Sequence, residues 1–122
     1  MVCAPAFFTR LLPLLRPGDG LVMCPQRFHN LDAAADVWAH ANVVWWDVTV
    51  PAIAAAYGGC TCCGTNFVVR ACALRAAAWF PAWTLCEDTQ LGQSLQRLGY
   101  TLRYVPEPLA VGEAPASVVG VF

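Results

Sequence analysis

The sequence predicts an α/β layer domain, and three observations carry that reading. Short apolar runs read as buried or half-buried strands at 21–24, 64–70 and 101–105. Helical periodicity separates them, most clearly at 84–98, where Leu91, Leu95 and Leu98 make an i, i+4, i+7 stripe. The chain is 58% apolar and 12% charged over 122 residues, which excludes a disordered polypeptide and is apolar enough to expect packing against a further partner.

Taken in order, Ala6 to Leu15 reads as a short helix kinked by Pro13, and Arg16 to Gly20 as a turn. Leu21 to Cys24 is a buried-strand candidate, followed by a polar exit from Pro25 to Asn30. Leu31 to Ala56 reads as helix, with Asn30 as its cap and Pro51 kinking or ending its first part. Tyr57-Gly58-Gly59 breaks it. Gly64 to Arg70 reads as a strand and Ala71 to Ala78 as a short helix. The helix over 84–98 ends at Gly99, which suits the left-handed position, with Arg97 near the negative end of the dipole. Thr101 to Val105 alternates as a half-buried strand that Pro106 and Pro108 stop.

Several constellations invite a chemical reading and a plain one. Asp32, Asp36 and His40, at spacings of four and near Asp47 on the helix surface, have metal-ligand chemistry, but a solvated helix face is the ordinary role of such residues. Trp45-Trp46 suits stacking on a sugar or a membrane interface, while core burial is the commoner role of aromatics. The seven cysteines are odd in number, and Cys60, Cys62 and Cys63 lack the spaced second pair of a zinc module, so reduced thiols are expected. A net charge of -1 offers no attraction to nucleic acid or anionic lipid. Arg10 and Arg16 without an acid suggest a transit peptide over 1–18, but Pro5, Pro13 and Pro17 interrupt the helix one would need. No run of 18 uncharged apolar residues exists to cross a membrane as a helix.

The acidic pair Glu87-Asp88 follows the apolar approach Trp79-Phe80-Pro81-Ala82-Trp83. Its plain reading is a capping box, in which Thr84 caps the helix and Glu87 reaches back. Its chemical reading makes Asp88 a general base for a sugar hydroxyl; a helix N-terminus weakens a carboxylate as a base, and apolar surroundings from Trp83, Leu85 and Cys86 push the other way.

Four segments in order now matter. Gly20 to Asn30 resembles the V-Q-T-P-Q-x-F-x-N segment of processive family 2 glycosyltransferases of the cellulose synthase type. Cys62-Cys63-Gly64-Thr65-Asn66-Phe67-Val68-Val69-Arg70 resembles their F-C-G-T-N-A-V-L-R segment. Cys86-Glu87-Asp88 stands at their T-E-D, and Leu91 to Pro115 resembles their L-G-x-x-L-x-x-x-G-Y-x-x-x-Y-V-x-E-x-L-A-x-G-E-A-P tail. The resemblance implies a partial GT-A domain, an α/β fold with a mixed sheet flanked by helices, over residues 1–115, with 116–122 an unstructured tail. It implies inverting transfer of a hexose, glucose from UDP-glucose, to a β-glucan, with Asp88 as base and Glu87 supporting it. It also implies that Cys63, Gly64, Thr65 and Asn66 line the acceptor end. Gly64 lets backbone approach a ligand closely, and small polar residues hydrogen-bond a sugar.

The departures are Cys86 for Thr, Met23-Cys24 for Gln-Thr and Cys62 for Phe. The D-x-D that holds Mg²⁺ or Mn²⁺ and the diphosphate, and the Q-x-x-R-W, do not occur in these 122 residues. The expectation is therefore a piece of a membrane-bound enzyme, its membrane segments outside this chain, with no metal of its own and no turnover by itself. The alternative is a non-catalytic interaction module on the same scaffold.

Overall fold

The computed structural model describes residues 2–30 and 35–114, with side chains described from residue 40 onward in the helix that begins at 35. The expected tail at 116–122, and Asp32 and Asp36 as metal ligands, lie outside what is described.

The centre is strand β2, Asp19–Met23, buried throughout. It is flanked by β4, Phe67–Val69, antiparallel, and by β5, Thr101–Tyr104, parallel. A strand with neighbours on both sides and layers on both faces is expected to be apolar without alternation. That is the character of Leu21-Val22-Met23. Its odd residues, Leu21 and Met23, join Trp46, Val50, Cys60, Cys62, Ala73, Leu91, Leu95 and Leu102 in one core. Val22 and Cys24 point the other way, into a second core with Phe7, Leu11 and Leu109. Phe7 and Leu11 come from helix α1, Phe7–Leu11, which passes at Pro13 into a 3₁₀ turn, Leu12–Leu14. The other face is covered by α3, Val50–Tyr57, α4, Ala71–Ala76, and α5, Glu87–Arg97. The result is a mixed α/β fold with the sheet between helical layers.

The polar exit expected after Cys24 is corrected to a strand. Residues Gln26–Phe28 form β3, and Ala110–Gly112 form β6 parallel to it, with β1, Val2–Cys3, antiparallel on the other side of β6. The expected mixed sheet is present as two three-stranded mixed sheets. Prolines explain the division. Pro25 follows β2, and Pro106 and Pro108 follow β5; a residue without an N–H cannot continue a ladder. Both members of the parallel β2–β5 pair leave the central sheet there and resume side by side as β3 and β6. Asn30, expected to cap a helix, closes the end of this second sheet. Its Oδ1 accepts from the Ala114 N–H at 2.6 Å and its Nδ2 donates to the Ala114 carbonyl at 2.8 Å.

Helix α2, Ala35–Val44, does not end ahead of Pro51; where a kink or an end was expected it widens into a π turn, Trp45–Thr49, and continues as α3 to the left-handed Gly58. The π register has a chemical cause. The Val50 N–H bonds the Trp45 carbonyl, and the next acceptor, Trp46, faces Pro51, which has no N–H. Tyr104 supplies the missing donor: its hydroxyl reaches the Trp46 carbonyl at 2.6 Å while its ring stacks on the Trp46 indole. Burial pushes the Tyr104 hydroxyl up to about 12, so it stays a donor at neutral pH. The two tryptophans thus divide the roles expected of the pair: Trp46 is core and Trp45 is 40% exposed. Arg27 Nη2 donates to both Asp47 carboxylate oxygens, at 2.6 and 2.8 Å, and His40 is exposed.

Candidate active site

Helix α5 presents the acidic pair. It begins at Glu87, three residues later than expected, and no capping box forms: the N-cap is Cys86, with no side-chain cap bond. Thr84 lies too early in the chain for that role, and its hydroxyl accepts from the Cys86 N–H at 3.2 Å in a local turn instead. One donor of the first turn is satisfied from within, because Asp88 Oδ1 accepts from the Thr89 N–H at 2.7 Å. The expected apolar shield is also corrected. Trp83, Leu85 and Cys86 are exposed, Leu85 at 99%, so they do not surround the carboxylate.

Its neighbour comes from the loop before β4. Segment 60–64 runs antiparallel along α5 in a regular register. The Cys60 carbonyl accepts from Gln96 Nε2 at 3.3 Å; Cys62 Cβ packs where Gly92 has no side chain; Gly64 faces Asp88. Two loop residues span four helix residues at each step. A nearly extended chain advances about 6.6 Å in two residues and a helix about 6.0 Å in four, so the register holds. Glycine is needed at 92, where a Cβ would meet loop backbone, and at 64 a Cβ would press Asp88 aside. A Cβ at 92 would stand 2.8 Å from Cys62 Cβ and 3.1 Å from the Cys62 backbone nitrogen. A Cβ at 64 would stand 3.2 Å from Asp88 Oδ2. One Asp88 oxygen is thus held by helix backbone, and the other faces the loop.

Of the residues expected at the site, Asp88 and Gly64 are brought together, with Cys63 and Thr65 in the same turn, closed by a Thr65 N–H to Cys63 carbonyl bond of 2.6 Å. Glu87 is exposed at the helix start with no hydrogen bond described for its side chain. Asn66 is 8% exposed and left-handed, at φ 55, a conformation asparagine tolerates. Its carbonyl accepts the Cys24 N–H at 3.0 Å, which ties the loop to β2, and its Nδ2 is buried without a partner. Trp45, on the π turn, reaches Cys63. Burial pushes the Cys63 thiol up, the Trp45 indole pulls it partly back, and the Asp88 charge adds to the rise. Burial carries Cys60 and Cys62 to about 12, so both are thiols at neutral pH. Among the described residues no three His, Cys, Asp or Glu side chains are grouped to hold a metal ion.

A scan against family models matches residues 3–120 to the family described as Glycosyl transferase family group 2. The chain belongs to that family. No curated protein matches it. The mixed α/β architecture agrees with a GT-A glycosyltransferase domain. No described helix of this glycosyltransferase domain is long and apolar enough to cross a membrane.

Sequence reasoning missed Gly92 as part of the site. Its signal was a glycine inside the Leu91–Leu95 stripe, where a helix interior loses about 1 kcal/mol relative to alanine. Gly92→Ala tests the register. Alanine gains about 1 kcal/mol of helix propensity, but overpacking costs about 1–3 kcal/mol, and here it meets backbone. The expected net is a loss of about 1 kcal/mol in urea denaturation. A gain in stability would mean that the loop is free to lift off α5.

Proposed function

We propose that this domain carries the acceptor-and-base side of an inverting glycosyltransferase site of the cellulose synthase type, with Asp88 as general base. The observation that carries the reading is the meeting of Asp88 Oδ2 with the 63–66 turn at Gly64. An acceptor hydroxyl laid over Gly64 has a carboxylate oxygen within reach and no side chain between. Its oxygen attacks the anomeric carbon, the bond to the nucleotide diphosphate breaks, and the proton passes to Asp88. Inversion follows from displacement on the face opposite the leaving group. Cys63 and Thr65 offer the acceptor small polar groups in this turn, and Asn66, its side chain buried, completes the turn behind them. Glu87, exposed beside the base, supports or orients Asp88 and takes no proton itself.

The donor assignment rests on the P-Q-x-F-x-N and C-G-T-N segments, which favour the glucan-forming type and hence UDP-glucose. Mg²⁺ or Mn²⁺ and the diphosphate belong to a D-x-D outside these residues, and membrane attachment likewise to other segments. The test is transfer by an active enzyme containing this sequence, offered UDP-glucose, UDP-N-acetylglucosamine and GDP-mannose in turn with cello-oligosaccharide acceptors. Incorporation of labelled glucose into a β-linked product is expected. Transfer only from another donor would overturn the glucan assignment.

A further inference from the structure

A concavity of about 530 Å³ opens on the side of α5 away from its N-terminus, between the end of α3, Gly59–Thr61 and the start of β5. No role is assigned to it by the chemistry at Asp88. It is within the size range of small-molecule sites. Tyr57, Thr61, Gln93, Gln96, Tyr100 and Thr101 line it, with no acid, base or cysteine among the lining side chains. Two phenol rings, two amides and two hydroxyls set among glycine backbone match one ligand chemistry well. Aromatic faces take the C–H face of a pyranose, and amides and hydroxyls both donate and accept with sugar hydroxyls. A charged ligand would find no counter-charge. Gln96 already gives one N–H to Cys60, which fixes its amide and leaves its oxygen and second N–H free to face the groove.

The groove is tied to the Asp88 site by the helix itself. Gly92 lines it and touches Cys62, while Asp88 lies one turn earlier on the same face and Gln96 one turn later. The separation between Asp88 and Gln96 is about 12 Å along the axis. We propose that this groove binds a neutral oligosaccharide and serves as a holding site for a saccharide chain, distinct from the place where its end reacts. The ligand class rests on the glycosyltransferase reading above; the site itself rests on its lining.

The experiment is a titration of the 122-residue chain with cellotetraose, followed by amide NMR. Millimolar ligand is expected to shift the side-chain amides of Gln93 and Gln96 and the backbone of Thr61 and Thr101. Gln93→Ala and Tyr57→Ala are each expected to weaken binding at least about fivefold. Both positions are exposed, Tyr57 at 82%, so the spectrum should stay dispersed and report binding alone. Asp88→Asn should leave the groove's affinity unchanged. A tetragalacturonate should not compete, since each residue carries a charge the lining cannot pair. The proposal is overturned by an absence of shifts, by shifts confined to 63–66 and 88, by tetragalacturonate binding as well as cellotetraose, or by affinity indifferent to both groove substitutions. Groove binding with transfer unaffected by Asp88→Asn would sink the base assignment and leave this site standing. Loss of transfer in Asp88→Asn with no groove binding would do the reverse.

Discussion

Asp88→Asn is expected to lower glycosyl transfer by about 10²–10⁴ in kcat, the usual contribution of a positioned general base, with little change in KM or in folding. The substitution is chosen because it separates chemistry from architecture. Asparagine keeps an oxygen to accept the Thr89 N–H, now 2.7 Å from Oδ1, and keeps the shape that faces Gly64. What it loses is the ability to take a proton. A change confined to kcat therefore points to proton transfer, whereas a merely capping carboxylate would lose a few tenths of a kcal/mol of helix stability and no rate. Glu87→Gln provides the contrast. Glu87 is exposed, so its removal is expected to cost well under tenfold. The measurement is labelled-sugar transfer by an active enzyme containing this sequence, with circular dichroism as the folding control. Activity retained within tenfold in Asp88→Asn would end the base assignment, and equal losses in both variants would assign the effect to charge at the helix start.

The helix that carries Asp88 was legible because Leu91, Leu95 and Leu98 repeat at the helical period; Leu91 and Leu95 are fully buried, while Leu98, past the last turn, is 51% exposed. Strand β2 was legible because an unbroken apolar run between turns has one ready explanation in an α/β sheet. The second sheet was not: β3, β6 and β1 have three, three and two residues, too few for any period to show. Their prolines read correctly as stops but say nothing of what resumes beyond them. The capping box failed for a different reason. Thr84-x-x-Glu87 has the right spacing, yet the helix starts at Glu87, so spacing alone did not locate the cap. The π turn depended on a contact from a strand more than fifty residues away, Tyr104 to Trp46, which no local pattern contains. The proximity of Gly64 to Asp88 was suggested by motif order, but the register behind it depends on Gly92 and on Gln96 reaching Cys60.

The largest effect on stability is expected at Asp19, far from the acceptor turn in sequence and read there as a turn residue. Its side chain is 3% exposed. Arg103 Nε and Nη2 donate to it at 2.7 and 3.0 Å, and the Arg16 N–H donates at 2.8 Å. Arg70 adds a bond from Nε to the Asp19 carbonyl at 3.0 Å, so two strands and a turn converge on one residue. Burial pushes the Asp19 carboxyl upward, but the Arg103 hydrogen bonds, the Arg16 amide and the neighbouring positive charge outweigh it and hold it below its ordinary value. Removing one partner of a buried ion pair costs about 3–5 kcal/mol, because the other charge is left without compensation. Arg103 keeps some solvent, so Asp19→Asn is expected near the lower end, about 3 kcal/mol by urea denaturation at neutral pH. Set against a typical total of about 5–15 kcal/mol, that is a large share. The pH dependence has a definite sign. A carboxyl lowered in the folded state adds stability above its unfolded value, about 3.9, and loses it as pH falls through the folded value. The gap between wild type and Asp19→Asn should therefore be constant from pH 7 to about 5 and close progressively below about 4. A gap that stays open in acid would mean that shape, not charge, holds the junction. The same junction sets the start of the β2–β5 register, where the Thr101 N–H bonds the Gly18 carbonyl at 2.9 Å and Asp19 stands opposite Thr101. Leu102 of β5 accepts the Cys60 N–H that begins the loop along α5, so loosening Asp19 is expected to loosen the Gly64–Asp88 approach as well. In an active enzyme, Asp19→Asn should then reduce transfer more steeply on warming than the wild type does, and equal temperature profiles would uncouple the two sites.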